Sequence, residues 1–447
     1  MSDAIAEAAA RRWDELLAIH PETRRALADG QQQAGLTAHG HALCSVARPA
    51  FISSAEFERQ RSAVADVVGA LRRARDVVVA HPERETLLGQ FASWIDELTA
   101  LEVPDVDHGD AIRLDGFGVH HLHFVEANAD LPGGAGHADA LAELFETTPV
   151  WPTFAEEFQP HIVRMLPPMI ATLVSSWQRW GRGDGDGPQL AIVSWSGRNE
   201  VTDATVDSTL RAALSSGIDA WHAEPAELEW RADRLYADGR PCDLVFRAML
   251  TPWVLDGLDE LAPLIAALRD DAVCMVNSFR AELMGNKALF ALLTDPSIDL
   301  GLTAVQRRAV DEHVPWGRIL RDHRTTDPDG GEIDLTSWVE TQRAQLVIKP
   351  THEAAGRGVV LGWEVDAAAW REAIEGGLDG DHIVQARVEM PVERFPLIVG
   401  GEADLVTDTD PFVFDGQLAT FFSRLSGAGI TNVSSGASLV PTVIVAS

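Results

Sequence analysis

Four residues in one short stretch have types and spacing that could do chemistry together: Arg113, Asp115, Glu126 and Asn128, in IRLDGFGVHHLHFVEAN. If the two halves are antiparallel strands, residues two apart share a face. A register that sets Asp115 opposite Glu126 also sets Arg113 opposite Asn128, with the turn around His120 and His121. One arginine, two carboxylates and an amide oxygen then gather on one face. A shorter turn at Gly116–Gly118 is the rival register. It breaks the pairing and leaves a plain polar hairpin. In the first register the carboxylates repel unless a cation joins them. A hard, oxygen-seeking dication such as Mg²⁺ resolves that conflict and bridges carboxylates to phosphates. The adjacent arginine suits charge growing on a transferring phosphoryl or tetrahedral centre.

Two lysines form a second set. Lys287 sits in GNKALFALL at an expected helix start, and Lys349 ends the expected strand LVIKP. Seven residues beyond Lys349 come Gly356, Arg357 and Gly358, after Ala354 and Ala355. Small residues let backbone N–H groups approach phosphate oxygens, and a lysine supplies the opposite charge. The stretch matches neither GxxxxGK[ST] nor a strand-bound GxGxxG, and a simple β-turn is the alternative. Gln385 ends the next expected strand, HIVQARV. Backbone groups just after it could meet an adenine edge, with Glu389 and Glu393 as ribose contacts.

Other reactive side chains point to less. His121 and His123 would share a strand face beside His120, but no third transition-metal ligand is near in sequence, and surface histidines are the plainer account. Cys44, Cys242 and Cys274 are scattered, with no CxxC or zinc-type spacing, and read as reduced, buried thiols.

The elements around these residues fall into four stretches. Residues 1–105 read as an N-terminal helical region, with apolar spacing of three and four in ARRWDELLAI, FERQRSAVADVVGALRRARDVVV and LLGQFASWIDELTAL. Residues 106–180 hold the hairpin and a following helical stretch. GRGDGDGPQ is turn-rich and marks a boundary. Residues 188–275 alternate strand, helix and strand, with a hairpin in LEWRADRLYADGRPCDLVFRAML, which suggests a small parallel α/β unit. Residues 276–447 carry both lysines and the glycine loop.

Composition narrows the function. A chain of 447 residues exceeds one ordinary core. The formal charge of −32, from 36 basic and 68 acidic residues, repels polyanions and disfavours nucleic acid or an anionic membrane as partner. A local lysine pocket can still hold a phosphate, because distant charges are screened. No apolar run has membrane-spanning length, and the N-terminus reads as an amphipathic helix rather than a secretory signal, so a cytoplasmic location is expected.

The ordered set resembles the circularly permuted ATP-grasp proteins, including the ligase domain of glutathionylspermidine synthases. The similar segments are IRLDGFGVHHLHFVEANADLPGG, CDLVFRAML, VNSFRAELMGNKALFALL, LVIKPTHEAAGRGVV and HIVQARVEMPVERFP, with FSRLSGAGITNVSSGAS as a closing segment. They span about residues 111–395 in the permuted order, the hairpin ahead of both lysines. The resemblance implies an α+β fold: ATP-grasp in permuted order, a Rossmann-like unit before the nucleotide-binding part, and the helical region in front. It implies Mg²⁺ on Asp115, Glu126 and Asn128, with Arg113 steadying an acyl phosphate. ATP phosphates would lie on Lys287 and Lys349 under Gly356–Gly358. Arg247 and Arg424 would hold the substrate carboxylate, with structural ion pairs as their alternative. Two departures stand out. Ala386 replaces the common hinge glutamate, and Glu353, Ala354 and Ala355 replace frequent glycines. No amidase-type N-terminal domain is visible.

The implied activity is ATP- and Mg²⁺-dependent joining of a small carboxylate to an amine, possible substrates being an amino acid, a small peptide or a natural-product intermediate. A kinase-like phosphotransferase on the same fold and an inactive nucleotide-binding regulator are the alternatives. A homodimer is the default assembly.

Overall fold

The computed structural model describes residues 3–38, 40–81, 96, 111–118, 121–183, 185–353, 356–379, 381–427, 431, 433 and 436–446. The helical stretch expected over LLGQFASWIDELTAL lies outside them apart from residue 96, as does His120.

The largest sheet gathers strands from both ends of the chain. Its order is Ala50–Ser53, Ser438–Val445, Gln417–Ser426, Glu402–Phe414, Ala111–Phe117 and His123–Asn128, with Val392–Pro396 also pairing Glu402–Phe414. Only Ala50–Ser53 against Ser438–Val445 is parallel; the other pairs are antiparallel. Strand periodicity splits its apolar residues between two cores. Phe412, Phe414 and Phe422 face a core with Trp13, Phe145 and Phe154. Val413 and Phe421 face another with Val64, Val67 and Leu71 of helix Ser54–Ala80. Ser53 starts that helix by accepting a hydrogen bond from the Glu56 N–H at 3.2 Å.

The N-terminal region is therefore more than helical, because Ala50–Ser53 joins this sheet. Residues 276–447 likewise serve two sheets. Their later strands extend the large one. Their earlier strands form a separate antiparallel sheet in the order Gly317–Ile319, His382–Ala386, Leu346–Pro350, Val360–Leu361. Trp370 and Ile374 of helix Ala367–Gly377 pack on Leu346, Ile348 and Val384 in that smaller unit.

Between these lies the α/β unit. Cys274–Val276, Leu244–Arg247, Gln189–Val193 and Asp219–Ala223 form a wholly parallel sheet in that order. Helix Glu200–Ser215 makes the crossover between its last two strands. The expected hairpin is a three-strand antiparallel meander, Leu228–Arg231, Arg234–Ala237 and Arg240–Cys242. Among the described residues no helix is long and apolar enough to cross a membrane. All three cysteines are free and buried, and burial pushes the Cys44 and Cys242 thiols up to about 12.

Candidate active site between two sheets

The hairpin adopts the first register. Arg113 pairs Asn128, Leu114 pairs Ala127 and Asp115 pairs Glu126. A bulge follows Asp115, so Gly116 pairs Phe124 and Val125 is the extra residue. The bulge lets the chain turn beyond Phe117 while the four polar residues keep one face.

Three contacts fix the hairpin. Asn277, just past the α/β unit's edge strand, grips both strand ends. Its Oδ1 accepts the Ala111 N–H at 2.9 Å, and its Nδ2 donates to Ala111 O at 2.9 Å and Ala129 O at 2.7 Å. At the turn end, His313 Nδ1 lies 2.7 Å from Leu122 O. At the bulge, the Gly116 N–H donates to Asp410 Oδ1 at 3.1 Å.

Asp115 is the electrostatic hub. Its Oδ1 accepts from Asn128 Nδ2 at 2.8 Å and Arg113 Nε at 3.1 Å, and its Oδ2 accepts from Arg424 Nη2 at 2.8 Å. Burial alone would raise this carboxyl, but Arg424 and Arg113 more than offset that and hold it well below the usual carboxylate range. Arg424 also meets Asp408 Oδ2 at 2.7 Å and Asp410 Oδ2 at 2.8 Å. Three carboxylate oxygens thus crowd one guanidinium nitrogen, which carries only two hydrogens. The Oδ2 atoms of Asp408 and Asp410 consequently lack an aligned hydrogen bond. Burial, against the pull of Arg424, pushes Asp408 up to about 6 and Asp410 well above its ordinary value.

Sequence reasoning missed Asp408 and Asp410. The signal was present: TDTDP sets two acids two residues apart on one strand, the same spacing that marked Arg113 and Asp115.

Both lysines are buried beside the hairpin. Lys349 Nζ donates to Gln385 Oε1 at 2.9 Å. Lys287 Nζ donates to Glu353 O at 2.8 Å and lies 3.5 Å from Glu126 Oε2. Burial drives the Lys349 ammonium down to about 8; Glu126 resists the fall and Lys287 adds to it. Gln385 is thus a buried side chain between the sheets, holding Lys349, and the chain continues through Ala386 and Val388 along the same cleft.

That cleft, about 960 Å³ with its open mouth, lies between the hairpin face and the small sheet. Its polar end carries Arg113, Asp115, Glu126, Asn128, Lys349 and Arg424. Its apolar end is walled by Val347, Val359, Leu361, Trp363 and Met390. Gly356 reaches the cleft with φ +73°, and Gly358 follows at +71°, conformations that favour glycine. Arg357 between them is exposed and pairs with Glu353 of its own loop at 2.9 Å.

Three expected contacts fall elsewhere. Arg247 is wholly buried at its strand end and absent from the cleft wall. Its Nη1 meets Asp130 Oδ1 at 2.6 Å and donates to Met249 O at 2.5 Å, while its Nε donates to Asn277 O at 3.1 Å. Every part of its guanidinium is committed inside the protein, which is the ion-pair alternative rather than a hold on substrate. Glu393 pairs with buried Arg48 away from the cleft, and Glu389 lines a different surface hollow. His121 is exposed and lies 3.3 Å from Glu312. Among the described residues no three His, Cys, Asp or Glu side chains are grouped to hold a metal.

The hairpin's own donors are two carboxylates and an amide, all hard oxygens with no soft ligand, and that chemistry fits Mg²⁺. Glu126 keeps a quarter of its side chain exposed toward the opening, whereas Asp115 is tied down by the arginines.

The fold is mixed α+β, and the hairpin precedes both lysine elements in the chain yet shares a sheet with the C-terminal strands, the segment order of the permuted arrangement expected from the sequence. Among solved structures it matches a glutathione synthetase-like effector from Globodera pallida in its apo form, with a TM-score of 0.64 over 96% of this chain and 97% of that one at 10% identity. A protein from Methylobacillus flagellatus assigned as gamma-glutamylcysteine synthetase aligns at a TM-score of 0.41 and 12% identity, over 83% of this chain and 86% of that one. No family model matches the sequence, and no curated protein does.

Proposed function

We propose that the protein is an ATP- and Mg²⁺-dependent ligase that activates a carboxylate as its acyl phosphate and joins it to an amine. One observation carries this reading. A single cleft is lined both by apolar side chains that suit a planar base and by two arginines, a lysine and three hard oxygen ligands. In the first step a carboxylate oxygen of the substrate attacks the γ-phosphorus, and ADP leaves with the bridging oxygen. In the second the amine, in its neutral form, adds to the acyl carbon, phosphate leaves with the bonding pair, and the nitrogen releases its extra proton to the departing phosphate or solvent.

Lys349 in the cleft neutralises phosphate oxygens, with Lys287 beside Glu126 as the second cation, and burial makes each charge count for more than it would in water. Arg113, held by Asp115, stabilises the phosphoryl group and then the tetrahedral oxyanion. Arg424 is pinned by Asp115, Asp408 and Asp410, so its free edge is preorganised toward the cleft. Asp115, Glu126 and Asn128 would hold Mg²⁺, which supplies charge neutralisation at the transferring phosphoryl group. Gly356 and Gly358 let the loop close and exclude water from the acyl phosphate.

Sustained ADP release that needs both a carboxylate and an amine, with a coupled product, tests the reading. Sustained release with carboxylate alone and a phosphorylated product would move the assignment to a phosphotransferase.

A further inference from the structure

Glu126 and Asn128 line two cavities at once. Beyond them lies a second one, about 1090 Å³ with its opening, walled on one side by Leu131, Leu250 and Trp253. A molecule there would meet the reacting end of the nucleotide cleft across the hairpin's two outermost ligands.

The charges around this second cavity can be followed one by one. Lys287 lies against Glu126, and Arg357 pairs with Glu353. Asp130 is satisfied on both oxygens: Oδ1 by Arg247 Nη1 and Thr251 Oγ1, each at 2.6 Å, and Oδ2 by the Thr251 N–H at 2.6 Å. Glu282 is different. It is only 8% exposed and lines the cavity, with Oε1 2.9 Å from His352 Nε2. Its Oε2 has no hydrogen-bond partner among the described residues. A buried carboxylate without full compensation is costly and calls for a cationic hydrogen-bond donor. The strain shows in its acidity: burial, with Asp130 adding, pushes the carboxyl up to about 7.

Resting on the ligase reading, we propose that this second cavity binds the amine substrate as its ammonium ion. Glu282 Oε2 is the counter-charge, His352 orients Glu282, and Leu131, Leu250 and Trp253 cover an alkyl body. The same oxygen disfavours a carboxylate beside it, so the activated acid is assigned to the nucleotide side of the hairpin. The occupant is thus a primary amine with an apolar chain.

The test is calorimetry on the full chain, with Mg²⁺ and a non-hydrolysable ATP analogue present. The probes are n-butylamine, n-hexylamine and 1,6-diaminohexane, with 1-hexanol and hexanoate as controls. The amines are expected to bind saturably, and the alcohol and hexanoate not to bind at the same concentrations. Glu282→Gln, checked for folding by thermal melting, is expected to weaken amine binding at least tenfold and to leave nucleotide affinity within twofold. Equal amine affinity in Glu282→Gln, hexanoate binding in place of amine, or no amine binding by the wild type would overturn the assignment. If Glu282→Gln fails to fold, the amine, alcohol and acid comparison on the wild type decides. Nucleotide binding without amine binding removes this inference alone. Glu282-dependent amine binding without nucleotide binding removes the ligase reading and keeps the cavity assignment.

Discussion

Lys349 Nζ and Gln385 Oε1 meet at 2.9 Å across neighbouring strands of the small sheet, inside the cleft that faces the hairpin. Burial lowers the lysine to about 8, and its hydrogen-bond partner is a neutral amide. Nucleotide phosphates would restore the charged form. With a folded value near 8, the ammonium is the major form below that pH and is lost above it. ATP affinity is therefore expected to fall as pH rises through about 8, and binding to take up part of a proton there. Calorimetry in two buffers of different ionisation enthalpy reads that uptake. Lys349→Arg, permanently charged, should abolish it. Binding heat independent of buffer in the wild type would contradict this role.

Glu126→Ala should abolish turnover, by roughly a hundredfold or more, the order lost when one electrostatic contact to the transition state is removed. Its side chain is partly exposed, so the variant should melt within a few degrees of the wild type. Near-normal activity would remove the proposed Mg²⁺ site.

Much of this geometry was legible in the chain, for a definite reason. Strand periodicity is two, so one register decision placed Arg113, Asp115, Glu126 and Asn128 together, and that register is the one adopted. The lysine strand and the Gln385 strand were readable from apolar runs bounded by turn residues. Long-range neighbours were not. Asp410 reaches Gly116 across 294 residues, and Glu282 reaches His352 across 70. No local pattern encodes such contacts. Arg247 sits at a strand end, where a substrate contact and a buried ion pair leave the same trace in sequence; only its complete burial separates them.

Gly116 is a packing requirement of the site. A Cβ there would lie 2.7 Å from the carbonyl oxygen of Thr409, on the backbone of the neighbouring strand. Gly116→Ala should cost about 1–3 kcal/mol, the usual range for overpacking, and disturb the bond from the residue 116 N–H to Asp410. Thermal unfolding should show a lower Tm together with reduced activity. An unchanged Tm would mean the two strands are not this close.

Arg247→Met removes the partner of buried Asp130 and should destabilise the protein by about 3–5 kcal/mol. Adding Asp130→Asn should recover much of that loss, as measured by denaturant unfolding. A stable Arg247→Met protein whose only defect is a raised KM for the carboxylate would instead place this arginine on the substrate.

The central claim is that the cleft between hairpin and small sheet binds ATP with Mg²⁺, and calorimetry of ATP with and without Mg²⁺, on the wild type and on Lys349→Ala, tests it most directly. We predict saturable, Mg²⁺-dependent binding by the wild type that Lys349→Ala weakens at least tenfold. A folded wild type that binds no ATP under either condition would contradict the account and return the hairpin, lysines and glycine loop to structural roles.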